Sequence, residues 1–219
     1  MPITEFATLE VLGLSTDNSP SITQPPLIDH LRLVAEKQSA VSGYPVLFFE
    51  SLSPTSKSTF YLVSGWRSVE AHYEWIQSQT NQELLVLLKD FIGVKGLAHI
   101  DVDFDEMRRE MGVDFEAKLE RTDEKSKDFE TISAREGILA VSLSKNGRPP
   151  EQTNKSLKCV WTKEGMCLDQ NEDFSKTNYR FEWFALSNYE DFDDIFVGCD
   201  LLDRKESLET SFMRRVGRI

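Results

Sequence analysis

The chain contains no Gly-rich phosphate loop, no Walker-type lysine and no Gly-x-Ser-x-Gly elbow. A nucleotide site or a serine hydrolase built on those motifs is excluded. "KNGRPP" (145–150) is a turn, not a phosphate cradle. Cysteine is scarce: Cys159, Cys167 and Cys199 are odd in number, widely spaced and form no Cys-x-x-Cys pair. Three reduced thiols in a cytoplasmic protein are expected, rather than a disulfide framework or a zinc cluster. Only three histidines occur, His30, His72 and His99, at no ligand spacing, so neither metal nor cofactor is expected. Positive charge is short, with 25 basic against 37 acidic residues and a net charge of -12. That speaks against nucleic acid and against anionic membrane surfaces as partners. No apolar run approaches the roughly 20 residues that a membrane span needs. Pro2, Thr4 and Glu5 stand where a secretory signal would need a basic patch and an apolar run.

What is present is a regular order of elements. Residues 3–14 read as a strand and 15–26 as a loop dense in turn formers. Residues 26–43 read as a helix, with Leu27, Leu31 and Val34 at helical spacing and Gly43 as a stop. Strands follow over 44–52 and 59–66, joined by a hairpin-like loop at 53–58. A helix over 67–78 has Ser68 as its N-cap, and Thr80-x-x-Glu83 reads as a capping box for a second helical segment, 80–92. The closing strand is 94–104. This is the β-α-β-β-α-β order of a ferredoxin-like unit, an antiparallel sheet with helices on one face.

A charged, helix-prone connector occupies 105–136. The remainder, 137–219, reads as a degenerate second unit. It has a strand at 137–147 ending in Asn146-Gly147, room for a short helix within 148–165, a strand and helix over 177–196 with Ser187-x-x-Glu190 as a capping box, and a last strand at the C-terminus. "FYLVSGWRSVEAH" (60–72) aligns with "YRFEWFALSNYED" (179–191) at a shift of 119 residues, which carries His99 onto Arg218. The expected fold is α+β: two tandem ferredoxin-like repeats, 1–104 and 137–219, forming a dimeric-type α/β barrel within one chain. Pairing of two copies through an outer edge stays open.

The closing strand raises the functional question. In "GLAHIDVDF" (96–104), His99, Asp101 and Asp103 share one side, while Ala98, Ile100, Val102 and Phe104 share the other. With the apolar side assigned to the helices, His99 falls on the side used for barrel closure. There Asp101 would raise its affinity for a proton, and His99 would act as a general base near neutrality. The alternative is a solvent-facing rim. His72 flanks the apparent buried stripe Val69, Tyr73 and Ile76, and is either a second acid-base group or a packed structural histidine. His30 falls at the edge of its helix. Aromatic side chains concentrate on the strands and flanking helix, among them Phe48, Phe60, Tyr61, Trp66, Trp75 and Trp183. Phe60, Leu62, Ser64 and Trp66 share a face, and Glu50 lies on the side of Val46 and Phe48. These residues either pack a core or line a flat pocket for an aromatic guest.

The segment from "FYLVSGWRSVEAHYEWIQSQTNQELLVLLKDF" to "LAHIDVDF" resembles the antibiotic-biosynthesis-monooxygenase-like branch of the dimeric α/β-barrel superfamily, especially its fungal members. The residues that carry the resemblance are Trp66, Ser68, Glu70, Ala71, His72, Trp75, Ser78, Asn81, Leu84 and His99, within roughly residues 44 to 104. The resemblance implies a barrel that holds a small apolar molecule. It also implies cofactor-free monooxygenases, cyclases and isomerases as activities, with haem binding or a stress role elsewhere in the superfamily. Asn81 and Trp75 join the candidate binding residues on that basis. Haem-degrading members carry an axial histidine where this chain has Leu85, so the haem reading lacks its ligand. The expectation is a cofactor-free enzyme of specialised metabolism, with His99, Asp101 and His72 as catalytic groups. It would act by cyclisation, isomerisation or oxygenation of an aromatic or apolar substrate. The alternative is a ligand-binding or stress-response barrel without turnover.

Overall fold

The computed structural model describes residues 1–12, 22–53, 58–112, 137–145, 159–169, 177–185 and 209–216. The first half runs β1 (Ile3–Val11), α1 (Leu27–Ser42), β2 (Val46–Ser51), β3 (Thr59–Trp66), α2 (Val69–Gln77), α3 (Gln79–Leu88) and β4 (Ile92–Ile100). Then come α4 (Phe104–Glu110), β5 (Gly137–Lys145), β6 (Cys159–Met166), β7 (Thr177–Ala185) and β8 (Glu209–Arg215). Local chemistry sets the helix ends. Gly43 closes α1 at a φ of 79°, where only glycine is unstrained. Ser68 caps α2 by accepting from the amide of Ala71. Ser78, not Thr80, caps α3 by accepting from Asn81, so the expected Thr80–Glu83 box is displaced. The expected short helix within 148–165, the Asn146-Gly147 turn, the Ser187 box, Cys199 and Arg218 fall wholly or partly outside the described residues, and β6 takes 159–166.

All pairings are antiparallel, in the order β4-β1-β3-β2-β8-β5-β7-β6. Counted within each half, both sets of four strands run fourth, first, third, second. The two outer strands then meet. Ile100 bridges Cys167, the Asp101 amide donates to Met166 O at 3.0 Å, and the Leu168 amide donates to His99 O at 2.7 Å. Gly165 permits this seam, because a Cβ there would lie 2.6 Å from Val102 Cγ2 and 2.7 Å from Asp101 O. The result is a curled, closed eight-stranded α+β sheet, the architecture expected of a dimeric-type α/β barrel.

Closure creates two cores. The enclosed one draws on every strand, with Phe6, Phe49, Tyr61, Val63, Ile100, Leu139, Trp161, Phe181, Trp183 and Met213 among its members. Phe6 stacks on Tyr61 with ring centroids 5.5 Å apart and meets Phe181 edge-on at 6.1 Å. Helix α4 adds Phe104, Met107 and its cap Met111. Phe104 lies against Gly65, where a Cβ would come within 2.5 Å of its ring. The second core lies outside the sheet, where Leu27, Leu31, Phe48, Phe60, Leu62, Trp66, Trp75, Leu84 and Leu88 pack helices α1 to α3 onto β1 to β4. Burying each such side chain stabilises the fold by roughly 1.5–3 kcal/mol.

This arrangement corrects the face assignment of β4. Ala98 and Ile100 point into the enclosed core, and His99 points to the helices. The strand also ends at Ile100. Asp101 is exposed beyond it, and Asp103 caps α4 by accepting from the amides of Asp105 and Glu106. Asp101 is therefore not the carboxylate beside His99. Sequence pattern misassigned the face because both sides of this sheet are buried, so an apolar side does not identify the helix side.

Candidate functional site

Glu5 on β1 stands directly opposite His99 on β4 and opposite Ser64 on β3. Side chains paired this way share a face, here the one covered by α1 and α2. Helix α2 lowers Ala71, His72 and Trp75 onto it, rather than Val69, Tyr73 and Ile76. His72 lies flat on Trp66, with centroids 4.5 Å apart and planes 21° apart. Across the seam, Asp169 follows the Cys167 bridge and reaches the same place from the second half.

These groups form a chain. The His99 Nδ1–H donates to Asp169 Oδ1 at 2.6 Å, and the His99 amide donates to Asp169 Oδ2 at 2.8 Å. His99 Nε2 meets His72 Nδ1 at 2.7 Å. His72 Nε2 faces Glu5 Oε1 at 3.5 Å. The other Glu5 oxygen, Oε2, accepts from Trp66 Nε1 at 2.6 Å and from Gln38 Nε2 at 2.8 Å. Tyr73 Oη donates to Asp169 at 3.2 Å, as does the Cys167 thiol at 3.4 Å. His99, His72, Glu5 and Gln38 are buried; Asp169 retains 12% of its side-chain exposure and Tyr73 is 44% exposed. The chain thus has one end near solvent and one end sealed.

Proton placement follows from the partners. Burial pushes the Asp169 carboxyl up, but hydrogen bonds from the ring and amide of His99 outweigh it and hold it at about 2. Asp169 is thus the acceptor, and His99 carries its proton on Nδ1. With His99 as the Nδ1–H tautomer, its Nε2 receives the Nδ1–H of His72. Burial pushes His72 down to about 3, which keeps that ring neutral and leaves its Nε2 without a proton. Burial pushes Glu5 up to about 7, with the Trp66 hydrogen bond opposing it. Since Glu5 Oε2 already accepts twice, its proton belongs on Oε1, facing His72 Nε2. Every proton in the chain points toward Asp169. The one full charge then lies at the end nearest water, the cheapest arrangement for a buried set. The Cys167 thiol, pushed by burial up to about 11, is no nucleophile.

No known family profile matches the sequence, and no curated protein matches it. Among solved structures, the chain is similar to a provisionally assigned monooxygenase of Fusobacterium nucleatum. The TM-score is 0.48 at 10% identity, over 98% of this chain and 92% of that one. It is also similar to a variant of chlorite dismutase from Candidatus Nitrospira defluvii, with a TM-score of 0.46 at 12% identity, over 98% and 91%. Likenesses this distant say nothing of what the chain binds or catalyses.

The remaining candidates divide between the two cores. Tyr61 and Trp183 lie in the enclosed core, whereas Phe48, Phe60, Trp66 and Trp75 lie outside the sheet under the helices. Glu50 is paired with Arg214. Asn81 is spent on α3, its Nδ2 donating to Ile76 O at 3.1 Å. His30 meets Phe91 edge-on at 5.0 Å. None of the three imidazoles faces the enclosed core, both nitrogens of His99 are engaged, and Leu85 is exposed on α3. The histidines are not placed to ligate a haem in the interior. Among the described residues there is no cluster of three or more metal-ligating side chains, and no helix is long and apolar enough to cross a membrane.

Sequence reasoning missed Glu5, Gln38 and Asp169. Glu5 had a signal: it is the one charge on the face Ile3, Glu5, Ala7, Leu9 and Val11. Gln38 had one too, ending the stripe Leu27, Leu31, Val34 and Gln38 at helical spacing. Asp169 had none, since only closure of the barrel brings it to His99.

Proposed function

We propose that the protein is a barrel that holds a small apolar or aromatic molecule without turnover at His99. One observation carries the reading: Trp183 faces the enclosed core, is buried, and its Nε1–H has no hydrogen-bond partner among the described residues. An unpaired buried donor costs about 1–3 kcal/mol. A hydroxyl or carbonyl oxygen on a guest removes that cost, and apolar walls with a few polar groups suit such a guest. Helix α4 fills one part of the enclosed core with Phe104, Met107 and its cap Met111. Glu106 ties that helix to the wall by accepting from Trp161 Nε1 at 3.2 Å and from Lys163 Nζ at 2.8 Å. The matching strand orders of the two halves support reading them as tandem ferredoxin-like repeats.

Calorimetric titration with 1-naphthol and with naphthalene tests the reading. Both should bind, and Trp183→Phe should weaken 1-naphthol several-fold while leaving naphthalene unchanged. Failure of both probes to bind at micromolar to millimolar concentration overturns it.

A second reading, a cofactor-free cyclase, isomerase or monooxygenase of fungal secondary metabolism, is favoured by the continuity of the imidazole chain. It requires the substrate to meet the chain at Asp169 and Tyr73, outside the barrel. Turnover that disappears in a folded His99→Gln variant would establish it in place of the first.

A further inference from the structure

At the seam the barrel wall is held by a few contacts instead of a full ladder of strand pairs. Its two sides meet at Ile100 and Cys167, through the amides of Asp101 and Leu168, and through Asp169, whose carboxylate grips both the ring and the amide of His99. Behind that grip stands the rest of the chain. We infer that the Asp169–His99–His72–Glu5 chain is a proton-dependent latch, which holds the barrel seam shut when it carries three protons and loosens it when the third is lost.

The count comes from geometry. The chain has two hydrogen-bonded junctions, Asp169 with His99 and His99 with His72, and one close approach, His72 Nε2 to Glu5 Oε1 at 3.5 Å. Each is satisfied by one proton lying between two acceptors. With one proton placed on each imidazole and Asp169 ionised, the third sits at the sealed end, where Glu5 Oε2 is taken by Trp66 and Gln38 and Oε1 faces His72. When that proton leaves, a bare nitrogen and a bare carboxylate oxygen face each other in a buried space. His72 can then turn its proton toward Glu5 only by presenting a bare Nδ1 to the bare Nε2 of His99, 2.7 Å away. Either way one junction fails, and the strain sits directly behind the residue that Asp169 grips. In the open seam the same groups are wetted and Glu5 releases its proton with the ease of an ordinary carboxyl. The ionisable groups facing His99 are Glu5 from β1, His72 and Tyr73 from α2, and Cys167 and Asp169 from the second half, with Glu70 at the surface. Among them, Glu5 is the group at the sealed end whose proton completes the count.

Glu5→Gln tests the latch, because the glutamine amide permanently imitates the protonated acid. Its oxygen can accept from Trp66 and Gln38, and its NH2 can face His72. Amide hydrogen exchange is read at the seam donors His99, Asp101 and Leu168, and at β1 and β3 as a reference. Near pH 5 the variant and the wild type should protect the seam alike. The ratio of variant to wild-type protection should then climb about tenfold per pH unit toward pH 7, one proton's worth of linkage, and level off above it. Amides of β1 and β3 should show a smaller ratio, since the seam opens without the whole sheet. A ratio that stays constant with pH overturns the latch. So does loss of seam protection in step with the rest of the sheet, or a Glu5→Gln chain that fails to fold.

Discussion

The Nδ1–H of His99 points at Asp169 Oδ1, 2.6 Å away, across the line where the two halves of the chain meet. An imidazole supplied by the first half is thus oriented by a carboxylate supplied by the second. The pair sits on the outer, helix-covered side of the sheet. The barrel interior has no acid-base group from it, and the chain closes its own wall with it.

Removing the ring should therefore cost stability. His99→Ala leaves Asp169 and His72 without their shared partner, and leaving a buried hydrogen-bonding group unsatisfied costs about 1–3 kcal/mol. Urea unfolding monitored by tryptophan fluorescence should show a loss in that range. Asp101→Ala, at an exposed residue beyond the strand, should stay within about 0.5 kcal/mol of the wild type. Equal losses in the two variants would count against the assignment of Asp169 as the partner.

Stability should crest in mildly acid to neutral solution. Glu5 is raised by burial from 4.5 to about 7, so its contribution is complete below pH 4.5 and is lost as pH rises through 7. His72 is lowered by burial from 6.5 to about 3, so its contribution is complete above 6.5 and is lost as pH falls toward 3. Asp169, opposed by burial yet held down by His99 from 3.8 to about 2, adds a further loss at the acid end. Between pH 4.5 and 6.5 the slopes of Glu5 and His72 oppose each other, and the crest lies there. Unfolding midpoints in urea from pH 3 to 9 should trace this shape. In Glu5→Gln the decline toward pH 7 should disappear.

Close approach at the seam gives an independent check. A methyl at Gly165 would meet the backbone oxygen of Asp101 at 2.7 Å, which cannot rotate away. Gly165→Ala should cost about 1–3 kcal/mol through overpacking and raise exchange at the Asp101 and Leu168 amides. Gly93→Ala should be mild by comparison, since its nearest contact is Leu12 Cδ2 at 3.4 Å. Comparable effects in both would contradict the seam geometry.

Much of the architecture was legible because local signals agree with it. Ser68 caps the helix it was expected to cap, Gly43 ends α1, and the order from β1 to β4 follows the periodicities of Leu27, Leu31 and Val34 and of the intervening strands. The second half was legible at its strands, since 137–145, 177–185 and 209–215 coincide with expected ones. The site was legible only in part. His99 and His72 were visible as histidines, and the structure brings them to 2.7 Å. Their direction was hidden, because a strand between two buried layers has no solvent side from which to orient its alternation. Asp169 was hidden because its contact with His99 spans 70 residues of chain and depends on barrel closure.

Nitrogen-15 NMR of the two buried imidazoles at pH 6 to 7 tests the account most directly. The predicted result is a neutral His72 ring, protonated at Nδ1 and bare at Nε2, with slowly exchanging protons at the junction of His99 Nδ1 to Asp169 and between the rings. A His72 ring that carries its proton on Nε2, or that titrates freely as an exposed histidine does near pH 6.5, would contradict it.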